Sequence, residues 1–470
     1  MVLIHWNYPL PPAHSLCYTA LQATIIRILG VKLTATPTQQ FDAIIVGAGP
    51  AGSSAALALA HAGLQVALIE RGEYPGAKNV SGAALYAPNL LASLLPDYWE
   101  EAPIERYLTR RVVTFMSQEA AFAMDFRTNA YAQPPYNGFT ILRPKFDRWL
   151  ASKAEAAGAL LITSTVVDDL LYQGDQVIGV QCRREDGKLY APVVIAADGA
   201  NSFLAKQAGL QHELRADEMT LGVKEILRLD AHTIEERFNL NGDEGMTNEY
   251  VGFATGSVKG GGFLYTNRDT LSIGVVTQIA SLSAQRVKPY DLLDQFKRHP
   301  AIAPLVRDSV TLEYSAHMIP EGGWAMLPQL SRGGLLVVGD AAGFVFAAGL
   351  FLEGMNFAIA SGLAAAETIK QAHNEQDFSA LSMSRYRKRL EESFVLQDLR
   401  KFRSASAFIN NERLQNLYPE LFCQAAENIF RSNSRPRQKI GRVMYNTLRG
   451  KVPLRTMLRD GWQAARAFFF

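Results

Sequence analysis

The chain has 470 residues, of which 48% are hydrophobic and 20% charged, with a formal net charge of +2. This is a globular composition, long enough for two or three structural units and lacking the charge excess of a nucleic-acid-binding protein. Its three cysteines, Cys17, Cys182 and Cys423, are too few and too scattered for a disulfide framework or a zinc site. They also fall short of the four thiolates of an iron–sulfur cluster, and such sparse cysteine fits a reducing, cytoplasmic setting.

Residues 1–40 are apolar, with Arg27 and Lys32 as their only strong bases. No basic region precedes the apolar stretch, so a secretory signal is not expected, and the segment reads as a poorly ordered extension. A buried strand is expected at 41–46, followed at once by Gly47-Ala48-Gly49-Pro50-Ala51-Gly52. In that pattern Gly47 permits a tight turn, Gly49 lets a pyrophosphate approach the backbone, and Gly52 lets the next helix lie close to the strand. The helix, expected at 51–62 with Gly63 as its stop, points its N-terminal amides at the phosphates. A second strand at 65–69 delivers Glu70, where a carboxylate can accept ribose hydroxyls.

Arg143 opens a helix expected to run to about residue 157, with Pro144 in its first turn. Short strands then alternate through 159–199, with a turn at Asp186-Gly187. The last, 193–197, returns to the nucleotide sheet and ends in Asp198-Gly199. From 216 to 324 short strands dominate, and 261–275 forms a hairpin about Asn267-Arg268-Asp269. Lys224 and Glu225 are adjacent in a strand and so face opposite ways, one toward the cofactor cavity and the other toward solvent.

The run Leu335-Leu336-Val337-Val338 precedes Gly339-Asp340-Ala341-Ala342-Gly343, the second half of the fingerprint. Asp340 can accept hydrogen bonds from ribityl hydroxyls. A helix follows, with Gly354 and Asn356 at its start, whose amides can stabilise negative charge on a reduced flavin. The apolar stretch 333–366 contains Asp340 and Glu353 and several glycines, so it reads as buried strand, loop and core helix rather than as a membrane span. The tail 431–470 carries ten Lys/Arg against a single acid, Asp460. Ile440, Val443, Met444 and Leu448 share one helical face, and Leu454, Met457, Leu458 and Trp462 another, with Pro453 between. Such a tail fits a membrane surface or an acidic partner, or a terminal helix packed on its own fold.

Two fingerprint halves so far apart imply one FAD domain assembled from distant segments. The expected fold is α/β: a discontinuous Rossmann-like FAD-binding domain (41–110, 140–215 and 325–370), an inserted β-sheet substrate domain (111–139 and 216–324), and a helical C-terminal region (371–470). The expected cofactor contacts are Gly47, Gly49, Gly52, Glu70, Arg71, Arg143, Asp198, Gly339, Asp340, Gly354 and Asn356. No covalent attachment residue and no general base stand out.

Gly47–Gly52 with Glu70-Arg71, Asp198-Gly199 and Gly339-Asp340, in this order, resemble the glutathione-reductase-like flavoproteins. Within them, Pro75-Gly76-Ala77-Lys78-Asn79-Val80-Ser81-Gly82 resembles the signature loop of FixC proteins, which belong with the electron-transfer-flavoprotein:quinone oxidoreductases. Gly222-Val223-Lys224-Glu225, 260–267 and 390–396 are FixC-like as well. Ala83 stands where the family loop has a second glycine. The resemblance covers 41–430. It implies FAD that accepts electrons from an electron-transfer flavoprotein and passes them toward quinone or a ferredoxin-like partner. Single-chain relatives carry a ferredoxin-like domain with four cluster cysteines, so a separate iron–sulfur subunit is implied here. The competing readings are a geranylgeranyl-reductase-type enzyme acting on a lipid double bond and a non-enzymatic, GDI-like lipid-binding protein. The location expected is cytoplasmic, with the membrane surface as a peripheral contact.

Overall fold

A computed structural model describes residues 40–78, 82–86, 89–349, 352–434 and 436–469. The extension expected at 1–40, save Gln40, lies outside these, as do Asn79, Val80 and Ser81 of the FixC-like loop.

Four aliphatic runs build the nucleotide sheet. Ala43–Val46, Val66–Ile69, Val194–Ala196 and Leu335–Val337 are buried along their whole length. They are apolar throughout because a parallel sheet is covered on both faces. Ile45 pairs with Leu68 on one side and Ile195 on the other, and Ile195 pairs with Leu336. The turns at Gly47 and Gly339 therefore leave strands separated by only one other. Leu160–Ile162 closes one edge in parallel, and Ser331–Arg332 closes the other in antiparallel.

Gly47 sits at φ +107°, and a Cβ there would fall 2.2 Å from the Ala197 carbonyl oxygen. At Gly52 a Cβ would fall 1.9 Å from the Gly47 oxygen, so the helix Pro50–His61 can seat this close only on glycine. That helix ends as expected: Gly63 donates to the Ala60 carbonyl at 2.9 Å and Leu64 to that of Leu59 at 3.2 Å. The helix Met355–Glu375 packs along it. It runs on past the apolar stretch that ends at 366, and at Gln376, with φ +53°, the backbone turns left-handed.

The second layer is a nine-stranded sheet. Its order is Val310–Pro320, Met219–Arg228, Thr270–Gln278, Gly260–Thr266, Glu244–Gly252, Ile104–Met116, Gly138–Ile141 and Ala83–Tyr86, with Ala121–Arg127 paired to Ile104–Met116. The hairpin 260–278 forms as expected. The boundary expected at 110 falls inside the continuous strand Ile104–Met116. Residues 83–86 and 104–110, grouped by sequence with the nucleotide domain, pair in this large sheet, and so does 138–141. No glycine or proline interrupts 104–116, so nothing local marks a break there.

The outer face of the large sheet presents Val223, Leu264, Ile273 and Val275 to Ile234 and Phe296 of the helices Ala231–Phe238 and Pro289–Arg298. The inner face, one residue out of phase, is left for the cofactor side. After Gly343 the chain is not wholly helical: Phe346–Ala347 pairs with Leu352–Glu353 before the long helix begins.

The tail folds into Ile440–Leu448 and Leu454–Phe468, with Pro453 between. Asp460 is buried, accepting from Arg413 at 2.5 and 2.6 Å and from the Tyr418 hydroxyl at 2.7 Å. Phe468 meets Phe408 edge-on. One side of the last helix is thus packed on the body. Leu454, Leu458 and Trp462 face outward, at 70%, 66% and 63% exposure. Among the described residues no helix is long and apolar enough to cross a membrane.

Candidate functional site

The loops that leave the carboxyl ends of the parallel strands open onto a cavity of about 410 Å³, whose far wall is the inner face of the large sheet. Nine of the expected residues line it: Gly47, Gly49, Glu70, Arg71, Arg143, Asp198, Gly339, Asp340 and Gly354. Gly52 does not, since its place is under the helix. Asn356 does not either: it is buried and donates from its amide to Glu353 Oε2 at 2.6 Å, while Glu353 itself lines the cavity.

At the dinucleotide end, Glu70 is held by the backbone. Its Oε2 accepts from Ala48 N at 3.1 Å and its Oε1 from Gly72 N at 2.7 Å. A carboxylate has about four lone-pair positions, so it retains capacity for a hydroxyl. Asp198 accepts from Leu204 N at 3.0 Å through Oδ2, while its buried Oδ1 has no partner within the protein. Burial raises its pKa. Arg143 is locked by two bonds to the fully buried Asp147, at 2.8 and 2.7 Å. Its guanidinium stands before Gly49, where a Cβ would have no neighbour nearer than Arg143 Nη2 at 3.9 Å. The space is open, flanked by amides and faced by a fixed cation, which suits a pyrophosphate. Burial raises the Asp340 pKa, partly offset by Arg143.

The far wall was less visible in the sequence. Strand pairing brings Gly222 beside both Val276 and His317, and Lys224 beside Gly274. Gly222, Lys224, Phe263, Tyr265, Val276, His317 and Ile319 all line the cavity. The rings of Phe263 and Tyr265 stack at 5.0 Å. Lys224 does take the cavity side, as one of the two expected arrangements had it. Glu225 does not go to solvent: it is buried, with both oxygens 2.9 Å from Lys297 Nζ. Lys78, whose role the sequence left open, lines the cavity too.

A second cavity, of about 180 Å³, adjoins the first and shares Phe263, Tyr265, Val276 and Leu352 with it. Gly260, Gly261 and Gly262 leave one side backbone-walled, and Ile409 and Leu414 give it an apolar side. Two carboxyls face it, Glu249 and Glu321, each pushed up to about 7 by burial.

Residues 40–391 match the FAD binding domain model, and residues 405–469 match the C-terminal domain model of the ETF-QO/FixC family. The chain belongs to the ETF-QO/FixC family. Like its relatives it is a FAD-dependent oxidoreductase of the electron-transport type. It is 41% identical to the probable electron transfer flavoprotein-quinone oxidoreductase YdiS of Escherichia coli K12, over 91% of this chain and 99% of that protein. It is 40% identical to Protein FixC of Bradyrhizobium diazoefficiens, over 92% and 99%. A geranylgeranyl bacteriochlorophyll reductase-like protein of Thermoplasma acidophilum shares the fold, with a TM-score of 0.68 at 21% identity over 90% and 99% of the two chains. Family membership accounts for the α/β fold with its helical C-terminal region, and for the FixC-like motifs at 75–82 and 222–225.

Proposed function

We propose that this protein takes electrons from an electron-transfer flavoprotein onto a non-covalently held FAD and passes them to quinone or to a separate ferredoxin-like iron–sulfur subunit. The observation that carries the reading is the pair of adjoining cavities. One has the donor set for a dinucleotide. The other is smaller, shares four wall residues with the first, and has apolar walls with a few polar groups among them, which suits a flat acceptor such as a quinone head.

In the larger cavity the Gly47 and Gly49 backbone and the Arg143 guanidinium hold the pyrophosphate. Glu70, Arg71 and Asp198 take the adenosine end, the free Asp198 Oδ1 gaining a partner there. Asp340 and Gly339 meet the ribityl chain, and the start of the long helix at Gly354 faces the ring. FAD bound there supplies reversible uptake of one or two electrons. The protein's part is to hold two redox groups close and in a fixed field, which needs no general base.

The name of the Escherichia coli relative supports the flavoprotein donor and the quinone acceptor. The iron–sulfur subunit is supported by the cysteine supply. The sequence has three cysteines, and of these Cys182 and Cys423 are each buried singly. The outward row Leu454, Leu458 and Trp462, interleaved with Arg455 and Arg459, fits a peripheral membrane contact that would bring the protein to a lipid-soluble acceptor.

Filling the smaller cavity tests the acceptor assignment. L414W should leave FAD content and reduction by a donor unchanged and slow reoxidation by a soluble quinone by about ten-fold, a loss of about 1.4 kcal/mol. Unslowed reoxidation by quinone would remove that cavity from the pathway.

A further inference from the structure

The far wall places in the cavity an amine that the dinucleotide fingerprint does not require. Lys224 is 5% exposed. Its Nζ donates to the Gly82 carbonyl oxygen, at the end of the FixC-like loop, and the side chain lines the larger cavity. An ammonium has three donors, so the bond to Gly82 leaves two directions free of that anchor. Arg143, whose guanidinium stands before Gly49, lies close enough to act on this amine. The wall that carries Lys224 also carries the stacked Phe263 and Tyr265 pair and the small residue Gly222, a surface suited to a flat ring.

We propose that Lys224 is the counter-ion to negative charge on the flavin ring, and that its side chain binds a proton when the ring is reduced. The proposal rests on the FAD reading given above. Adding two electrons and one proton to an isoalloxazine ring leaves one negative charge on it, which a nearby ammonium stabilises. If Lys224 is already charged in the oxidised protein, the electron pair brings one proton in all. If Lys224 is neutral, a second proton enters from solvent and ends on its Nζ.

The surroundings decide which case applies. The charged and titratable groups facing Lys224 are Glu313 and His317 from the neighbouring strand and Arg143 from the helix beneath the cavity. Lys78, Tyr265, Asp340 and Glu353 line the same space. Burial is the largest influence and lowers the Lys224 pKa; Glu313 raises it and Arg143 lowers it further, leaving it about 7. His317 is also lowered, first by burial and then by Arg143, Arg71 and Lys224. The sign follows. Below about pH 7 Lys224 starts charged and one proton accompanies two electrons. Above it Lys224 starts neutral, new negative charge on the ring raises its proton affinity, and two protons accompany two electrons.

The test is an equilibrium redox titration of the purified FAD-loaded protein against reference dyes, with dithionite as reductant, between about pH 6 and about pH 9. FAD content is measured in parallel. The wild type should change from one proton to two per electron pair near neutrality. K224M should lose the rise from one proton to two with increasing pH while keeping its FAD, and H317Q should keep the wild-type break. A wild type with one proton across the range overturns the proposal. So does a K224M protein that retains the break, or an H317Q protein that loses it. If K224M does not retain FAD, the wild-type and H317Q profiles decide between the same outcomes. Failure of the wild type to hold FAD at all would strike the cofactor reading instead, so the two failures are distinguishable.

Discussion

Gly49→Ala separates binding from folding more cleanly than any other change in the fingerprint. Gly49 has an extended backbone, φ −78° and ψ −174°, which alanine adopts without strain. The new Cβ would have no protein neighbour nearer than 3.9 Å, so nothing in the chain must move. Replacing glycine by alanine at a compatible position stabilises a fold by about 0.4–1 kcal/mol through the unfolded state. The same methyl occupies the space between the Gly49 backbone and the Arg143 guanidinium, where the pyrophosphate would sit. Losing one hydrogen bond to a charged group costs about 1.5–3 kcal/mol, or roughly ten-fold to a hundred-fold in affinity. The apoprotein should therefore melt at the same temperature or slightly higher, while FAD affinity, followed by quenching of flavin fluorescence, falls by at least the lower figure. Unchanged FAD affinity would refute the placement of the phosphates. A large drop in apoprotein melting temperature would refute the claim that the space before Gly49 is empty of protein.

Asp340→Ala should lower FAD affinity by about 1–3 kcal/mol and leave the far-UV spectrum near native; full retention of flavin would remove Asp340 from the site. Heat or acid denaturation should release all the flavin into the supernatant, and flavin left on the precipitate would contradict non-covalent attachment. Asp460→Asn should destabilise the packing of the last helix by about 1–3 kcal/mol, read as earlier proteolysis near the C-terminus. Arg413 holds the Asp460 carboxyl down to about 2, so this contribution is present above the ordinary carboxylate range and is lost as pH falls through it toward about 2; protection that persists in that acid range would count against the pair. Replacing Leu454, Leu458 and Trp462 together by Gln should reduce sedimentation with anionic vesicles without loss of FAD; unchanged binding would return the tail to a purely structural role.

What could be read in the sequence was what the chain writes consecutively. Gly47, Gly49 and Gly52 act within one turn, Glu70 follows its own strand, and Gly339-Asp340 follows another, so each needed only local reasoning. The long-range step, that both turns join one sheet, followed from two apolar runs that make sense only when buried on both faces. The far wall was hidden for the opposite reason. His317 reaches Gly222 only through the register of two strands separated in the chain by three other strands and four α-helices. Glu249 and Glu321 carry no local signal, because only the folded chain brings these two carboxyls, 72 residues apart, to one cavity. Asn356 was expected at the ring because it begins a helix, but the first turn rotates its amide toward Glu353. Glu225 was given a choice of cavity or solvent by strand alternation; Lys297, on a helix packed over the outer face, supplies a third setting.

The central claim is electron transfer from a partner flavoprotein through FAD in this chain. The most direct measurement mixes the FAD-loaded protein, without oxygen, with a reduced electron-transfer flavoprotein and follows the flavin absorbance band of each. The account predicts that the band of this protein bleaches as that of the donor recovers, and that it returns when a quinone or a ferredoxin-like iron–sulfur protein is added. A flavin here that stays oxidised in the presence of excess reduced donor, yet is reduced by dithionite, would contradict it.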